Sequence, residues 1–245
     1  MPAVAITGTS TDVGKTVVTA ALAALAARRG LDVRVCKPVQ TGLPDGEPGD
    51  ADEAARLAGV PSAEFVRYPE PLSPIIAARR SGRRLWTAQE LAAEAGRFAA
   101  DEFVLVEGAG GVLVRLGEQG ATLLDVARLL RAPMVVVAGC ELGALNHAEL
   151  TVRAIRAAGV EVVGLVVGSW PAEPQLAHRT NLEAFPEHTG VGVLGKIPRG
   201  AGSLGPGEFQ SQALGWFEEA HLAGLWQTSS AEERKNAGGY KERTQ

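Results

Sequence analysis

Cysteine is scarce in this chain: Cys36 and Cys140 stand far apart, with no CxxC spacing and no histidine cluster beside them. That excludes a disulfide framework and argues against a cysteine metal or redox centre, so both are expected to be buried thiols in a reducing compartment. Long hydrophobic runs are also missing. The longest apolar stretch, 17–27, falls well short of the roughly 20 residues that span a bilayer, and the amino terminus enters a strand-like run with no targeting pattern ahead of it. A cytoplasmic protein without a membrane partner is expected. Excess positive charge is absent too: 24 Lys and Arg against 28 Asp and Glu give a net charge of -4, which supplies no field to recruit nucleic acid. What remains is ordinary and sufficient, since 46% hydrophobic and 21% charged residues over 245 positions can bury a sizeable core. One domain is predicted over 1–226. The final stretch, 227–245, is polar with Tyr240 as its one aromatic, and reads as a disordered tail.

Short apolar runs alternate with helix-period segments. Buried strands are predicted at 3–7, 33–36, 103–106, 134–138, 162–167 and 191–194, where near-continuous hydrophobic sequence suits a sheet covered on both faces. Helices are predicted at 16–29, 50–58, 88–100, 122–130, 146–158 and 173–188. Thr87 with Glu90 makes a capping box, Asn146 with Glu149 an analogous cap, and Gly30 and Gly159 mark helix ends. The stretches 43–49 and 68–74 read as loops. Such βαβ alternation implies an α/β fold, a single doubly wound, mostly parallel sheet of the P-loop NTPase type.

The first strand runs into Gly8-Thr-Ser-Thr-Asp-Val-Gly14-Lys15-Thr16 and then an alanine-rich helix. Glycines let the backbone curl so that N–H groups converge on an anion. The helix terminus adds its positive dipole end, Lys15 reaches the outer phosphates, and the Thr16 hydroxyl can face Mg2+. Five residues stand between Gly8 and Gly14 where the common pattern has four, so Thr9 holds the usual first glycine position. A dinucleotide fingerprint is excluded by the missing GxGxxG.

Mg2+ prefers oxygen ligands, and open α/β sheets gather ligands at the carboxyl ends of their strands. Glu107 follows the apolar run 103–106 and precedes a glycine-rich stretch; Asp50 begins a helix, with Asp52 a rival. Lys37, just past the second strand, would lie close to the phosphate loop, which makes sense if a second anion must be held there. Position alone also admits Asp50 as a helix cap or first-turn acid, Glu107 as a solvated strand-end charge, and Lys37 as a water-facing lysine.

Gly8-Thr-x-Thr-x-Val-Gly-Lys-Thr16, Lys37-Pro-Val-Gln-Thr-Gly42, Val106-Glu-Gly-Ala-Gly-Gly111, Leu142-Gly-Ala-Leu-Asn-His147 and Gly195-Lys-Ile-Pro198 together resemble the ATP-dependent dethiobiotin synthetase family. The resemblance covers nearly all of the chain except the polar tail. It implies an enzyme that joins CO2, supplied from bicarbonate, to 7,8-diaminononanoate with cleavage of ATP. A carbamate forms first, then a carbamic-phosphoric anhydride, and the second amine closes the ring.

Carried over, the resemblance makes Lys15 and Lys37 the catalytic cations and Thr16, Asp50 and Glu107 the Mg2+ ligands. Nucleotide would contact Thr11, Asp12, Val13, Gly14, Lys15, Thr16, Val17 and Glu107, with Gly168, Ser169 and Pro198 at the base end. Thr11, Thr41, Gly110 and Gly111 would face the substrate. Gly143, Leu145 and Asn146 would reach the partner's substrate carboxylate across a homodimer interface. Many members carry Asn where this chain has Gly168-Ser-Trp-Pro171, so phosphate contacts would outweigh base readout; Ser10 replaces a frequent acid. Two other classes compete: a P-loop amidoligase or kinase acting on another small substrate, and a partitioning ATPase. The KPVQTG and LGALNH segments argue against the first, and the second would carry a further lysine early in the loop.

Overall fold

The computed structural model describes residues 3–218, together with 221, 222 and 225. Seven strands form one sheet in which every pairing is parallel: β1 (Ala3–Gly8), β2 (Val33–Thr41), β3 (Ser62–Tyr68), β4 (Phe103–Gly111), β5 (Met134–Ala138), β6 (Val162–Trp170) and β7 (Val193–Pro198). Their spatial order is β3-β2-β4-β1-β5-β6-β7. Alternation along β1 explains the layering. Val4 and Ile6 pack on one face with α1 (Lys15–Arg28), α2 (Asp50–Ala58) and α8 (Pro206–Ala213), through residues such as Leu22, Leu57 and Phe209. Ala3 and Ala5 face the other layer. That layer holds α3 (Pro74–Ser81), α4 (Ala88–Phe98), α5 (Leu123–Leu130), α6 (Ala144–Ala157) and α7 (Leu176–Thr189).

Helix α1 is buried along the whole stretch from Val18 to Ala26. Alanine allows this: a small side chain lets the helix lie close to the sheet while it also packs against α2 and α8, and it costs no rotamer entropy. The sheet's register then positions the functional groups. Ile6 pairs with Glu107 and Gly8 with Gly111, while Cys36 pairs with Val106. Lys37 and Glu107 therefore sit at neighbouring levels of adjacent strands, beside the loop that leaves β1.

Several boundaries differ from the sequence expectation. Strands β2, β4 and β6 run three to five residues further than the apolar runs suggest, because polar and glycine residues at their ends remain paired. Lys37 and Glu107 thus lie inside strands rather than past them. β7 starts at Val193 and continues to Pro198, later than the expected 191–194. β3, α3 and α8 went unforeseen: β3 is a half-exposed edge strand carrying Glu64 and Arg67, and the two helices are eight residues each. The stretch 68–74 is accordingly the end of β3, a short loop and the start of α3.

The Asn146 cap is corrected. α6 begins at Ala144 behind Gly143 at φ 91, so Asn146 lies within the first turn. The Thr87 box holds, with Glu90 N–H donating to Thr87 Oγ1 at 3.1 Å and Thr87 N–H to the Glu90 carboxylate at 2.8 Å. The expected tail, 227–245, lies outside the described residues.

Candidate active site

The chain leaves β1 into the glycine loop and enters α1 through Gly14, whose φ of 94 favours glycine. A Cβ there would lie 2.4 Å from the Gly168 carbonyl oxygen, so the loop rests directly on the end of β6. Asp12 also takes positive φ, at 58, a conformation that Asp tolerates better than most residues. Thr9 N–H donates to the Val137 carbonyl at 2.9 Å, tying the loop's first residue to β5. The Lys15 ammonium donates to the Ser10 carbonyl at 3.1 Å, inside the curl of the loop.

Lys15 and Lys37 line one cavity of about 560 Å3, shared with Thr11, Asp12, Gly14, Thr16, Thr41, Asp50, Glu107 and Gly110. Lys37 is 2% exposed and Glu107 fully buried, which removes the solvated readings of both. The Lys37 ammonium lies 2.8 Å from Glu107 Oε1 and 2.6 Å from Asp50 Oδ2, and donates to the Gly108 carbonyl at 3.1 Å. Thr16 Oγ1 donates to the same Glu107 oxygen at 3.0 Å. Asp52 is engaged elsewhere: its carboxylate accepts from Gly49 N–H and Ser62 Oγ. Of the two acids, Asp50 faces the cavity.

Burial opposes the Lys37 charge, but the Glu107 and Asp50 carboxylates outweigh it and hold the Lys37 pKa above its ordinary value. Lys15 goes the other way. Its burial, with Lys37 nearby, lowers its pKa, and the surrounding acids offset only part of that. Two cations in one pocket, one of them inadequately compensated, make a site built for a further anion. The hard oxygens of Thr16, Asp50 and Glu107 suit Mg2+ as a donor set. Glu107 Oε2 is buried without a hydrogen-bond partner among the described residues, which is an available ligand atom of the right kind.

The other expected site residues fall in four places. Thr41 closes β2, and Gly110, at φ 63, stands near Thr11 Oγ1; Gly111 packs against the backbone of Gly8 and Thr9. Gly168, Ser169 and Pro198 end β6 and β7, where Arg199 Nε donates to Ser169 Oγ at 3.3 Å. Val13 contacts Gly8 and Gly168, and Val17 packs near Gly202, so both are loop and helix walls rather than cavity lining. Gly143, Leu145 and Asn146 lie at the head of α6, outside the cavity. Both cysteines are buried, and burial pushes Cys36 up to about 12 and Cys140 up to about 11. Cys140 does lie within 4.8 Å of ligand atoms of Glu141 and His178, a cluster the spacing concealed. His178 Nδ1, however, accepts the Gln175 N–H at 2.9 Å, which leaves the proton of a neutral ring on Nε2 and no lone pair free there. Gln40, inside the KPVQTG motif, also lines the cavity, which the sequence did not single out.

A parallel sheet with a Gly-Lys-Thr loop between its central strand and a buried helix, opposite a Lys–Glu–Asp cluster, defines a P-loop NTPase-class protein. The profile of a family described as an AAA domain matches residues 3–204. Curated relatives named ATP-dependent dethiobiotin synthetase BioD include that of Rhodococcus jostii, 55% identical over 225 residues, covering 91% of this chain and 97% of the relative. That of Streptomyces coelicolor is 50% identical over 236 residues, covering 96% and 99%. The chain belongs to the ATP-dependent dethiobiotin synthetase family.

Among solved structures, the cell division protein FtsY of Thermotoga maritima is similar at TM-score 0.54 and 15% identity, over 87% of this chain and 68% of that one. The signal recognition particle 54 kDa protein of Aeropyrum pernix, in complex with GDP, is similar at TM-score 0.51 and 19% identity, over 87% and 46%. These two likenesses speak to the fold alone. Among the described residues no helix is long and apolar enough to cross a membrane.

Proposed function

We propose that the chain joins CO2 to 7,8-diaminononanoate with cleavage of ATP to ADP and phosphate, forming the ureido ring of dethiobiotin. The observation that carries this reading is the shared cavity of Lys15 and Lys37. One substrate amine takes up CO2 as a carbamate, losing a proton to solvent. A carbamate oxygen then attacks the γ-phosphorus as the bond to the ADP oxygen breaks, giving the mixed anhydride. The second amine attacks the carbamoyl carbon and loses a proton to solvent, phosphate leaves, and the ring closes.

Both partners in the phosphoryl step are anions, so the protein's task is to bring them together and offset the charge that develops. Lys15 is read as holding the terminal phosphate, and Lys37 as bridging it to the carbamate. Thr11 and Thr41 hydrogen-bond the acceptor side, and Gly110 and Gly111 lie along the diamine. Thr16, Asp50 and Glu107 would hold Mg2+, which when bound supplies positive charge at the phosphate oxygens. No protein nucleophile is required.

A homodimer is proposed as the working unit, with Gly143, Leu145 and Asn146 of one subunit meeting the substrate carboxylate held by the other. Exposed leucines support it: Leu142 is 89% exposed ahead of α6, and Leu150 and Leu176 on α6 and α7 are 59% and 70% exposed. A cytoplasmic location and one P-loop domain over 1–226, whose end lies outside the described residues, complete the reading. With Gly168-Ser169 at the base end, triphosphates other than ATP are expected to be accepted as well.

Phosphate release tests the reaction. With ATP, Mg2+ and bicarbonate, release is expected to depend on the diamine and to match dethiobiotin formed. Release indifferent to the diamine, or stimulated instead by DNA or lipid vesicles, would contradict it.

A further inference from the structure

The Asp50 carboxylate is not fixed by its own burial, because its side chain is 41% exposed. The Lys37 ammonium, 2.6 Å from Asp50 Oδ2, holds its far end, and the Asp50 backbone sets where the side chain starts. Asp50 opens α2, and its N–H is one of the donors at a helix start that no helical carbonyl can satisfy. The preceding Gly49 has no side chain to cap with. The acceptor comes from another element: Gln40 Oε1 takes the Asp50 N–H at 3.1 Å, while Gln40 Nε2 donates to the Thr41 carbonyl at 2.9 Å. An N–H on one side and a C=O on the other settle which way the carboxamide is turned. Gln40 is 4% exposed, so the bonds are shielded from water.

Packing around this clip is tight. A Cβ on Gly49 would lie 2.6 Å from Glu64 Oε2, 2.9 Å from Arg67 Nη2 and 3.2 Å from Gln40 Oε1. Arg67 in turn donates to the Pro44 and Glu47 carbonyls, holding the β2–α2 loop from the side of β3. The start of α2 is therefore seated directly on β2, three residues from Lys37.

We propose that Gln40 is a positioning residue that sets the Asp50 carboxylate, and with it the divalent cation, against the Lys37 and Thr41 side of the cavity. The inference rests on the reading of Asp50 as a Mg2+ ligand. Outer-shell partners of metal ligands typically change metal affinity by about 10–100-fold when removed. Gln40→Met keeps the volume and loses both hydrogen bonds.

Mn2+ titrated into the full-length protein with a saturating non-hydrolysable ATP analogue, followed by electron paramagnetic resonance, reads the effect. Gln40→Met is expected to bind Mn2+ about 10–100-fold more weakly, with ADP affinity in EDTA unchanged. Gln40→Glu, which keeps the acceptor for the Asp50 N–H, is expected to bind Mn2+ at least as well as wild type and serves if the methionine variant does not fold. Wild-type Mn2+ affinity in Gln40→Met, equal loss in Gln40→Glu, or a parallel loss of metal-free ADP affinity overturns the proposal. Asp50→Asn separates the two failures. If it weakens Mn2+ binding while Gln40→Met does not, only the positioning role falls; if it has no effect, the metal reading falls and takes this inference with it.

Discussion

Lys37 links both of the cavity's metal-side carboxylates. Its ammonium is the counter-charge to a fully buried Glu107, and it also reaches Asp50. Removing it should therefore have two separable effects. Stability is expected to fall by about 3–5 kcal/mol, since breaking a buried pair strands the remaining charge; urea unfolding of Lys37→Met measures this. Nucleotide affinity is expected to stay measurable while ring closure drops by at least about 100-fold, the usual scale for losing one transition-state donor. Full turnover by the variant would take Lys37 out of the mechanism. Mg2+ should recover part of the lost stability, because it would supply positive charge to the same carboxylates.

At the scale of elements, the phosphate loop is shaped by what lies beneath it. Gly14 combines φ 94 with a Cβ position 2.4 Å from the Gly168 oxygen, so Gly14→Ala must strain its backbone and push the loop off β6. Backbone strain of this kind costs about 1–3 kcal/mol, and ADP binding by calorimetry is expected to weaken by about tenfold or more, a factor worth 1.4 kcal/mol. Unchanged affinity would mean that the loop does not need its contact with β6. The loop, the α4 cap at Thr87 and the buried strands were readable because each has a local signature. β3 was not, since an edge strand that is half-exposed along nearly its whole length and carries a Glu–Arg pair has no continuous apolar run. α3 and α8 did carry signals, Ser73-Pro74 and Gly205-Pro206 with proline at the first helical position, but each helix is too short to show a period. Lys37 and Glu107 could be proposed from strand ends and Asp50 from a helix start, whereas their convergence depends on strand order, with β4 inserted between β1 and β2. The Gln40 clip depends on how the start of α2 returns to β2, and no spacing rule announces it.

For the whole molecule, one chain holds the Lys15–Lys37 cavity, and the head of α6 is not among the residues that line it. On the proposed homodimer reading, the substrate's amine end and its carboxylate end would meet different subunits, and dimer formation would be part of substrate binding. The reading of all these parts depends on the two lysines meeting a single pair of anions. A crystal structure with diamine, bicarbonate, Mg2+ and a non-hydrolysable ATP analogue tests that most directly. The expected result has Lys15 and Lys37 both hydrogen-bonded to the γ-phosphate or carbamate, with Thr16, Asp50 and Glu107 on the metal and Asn146 of the second subunit at the substrate carboxylate. A diamine bound away from Lys37, with only Lys15 touching phosphate, would contradict the account.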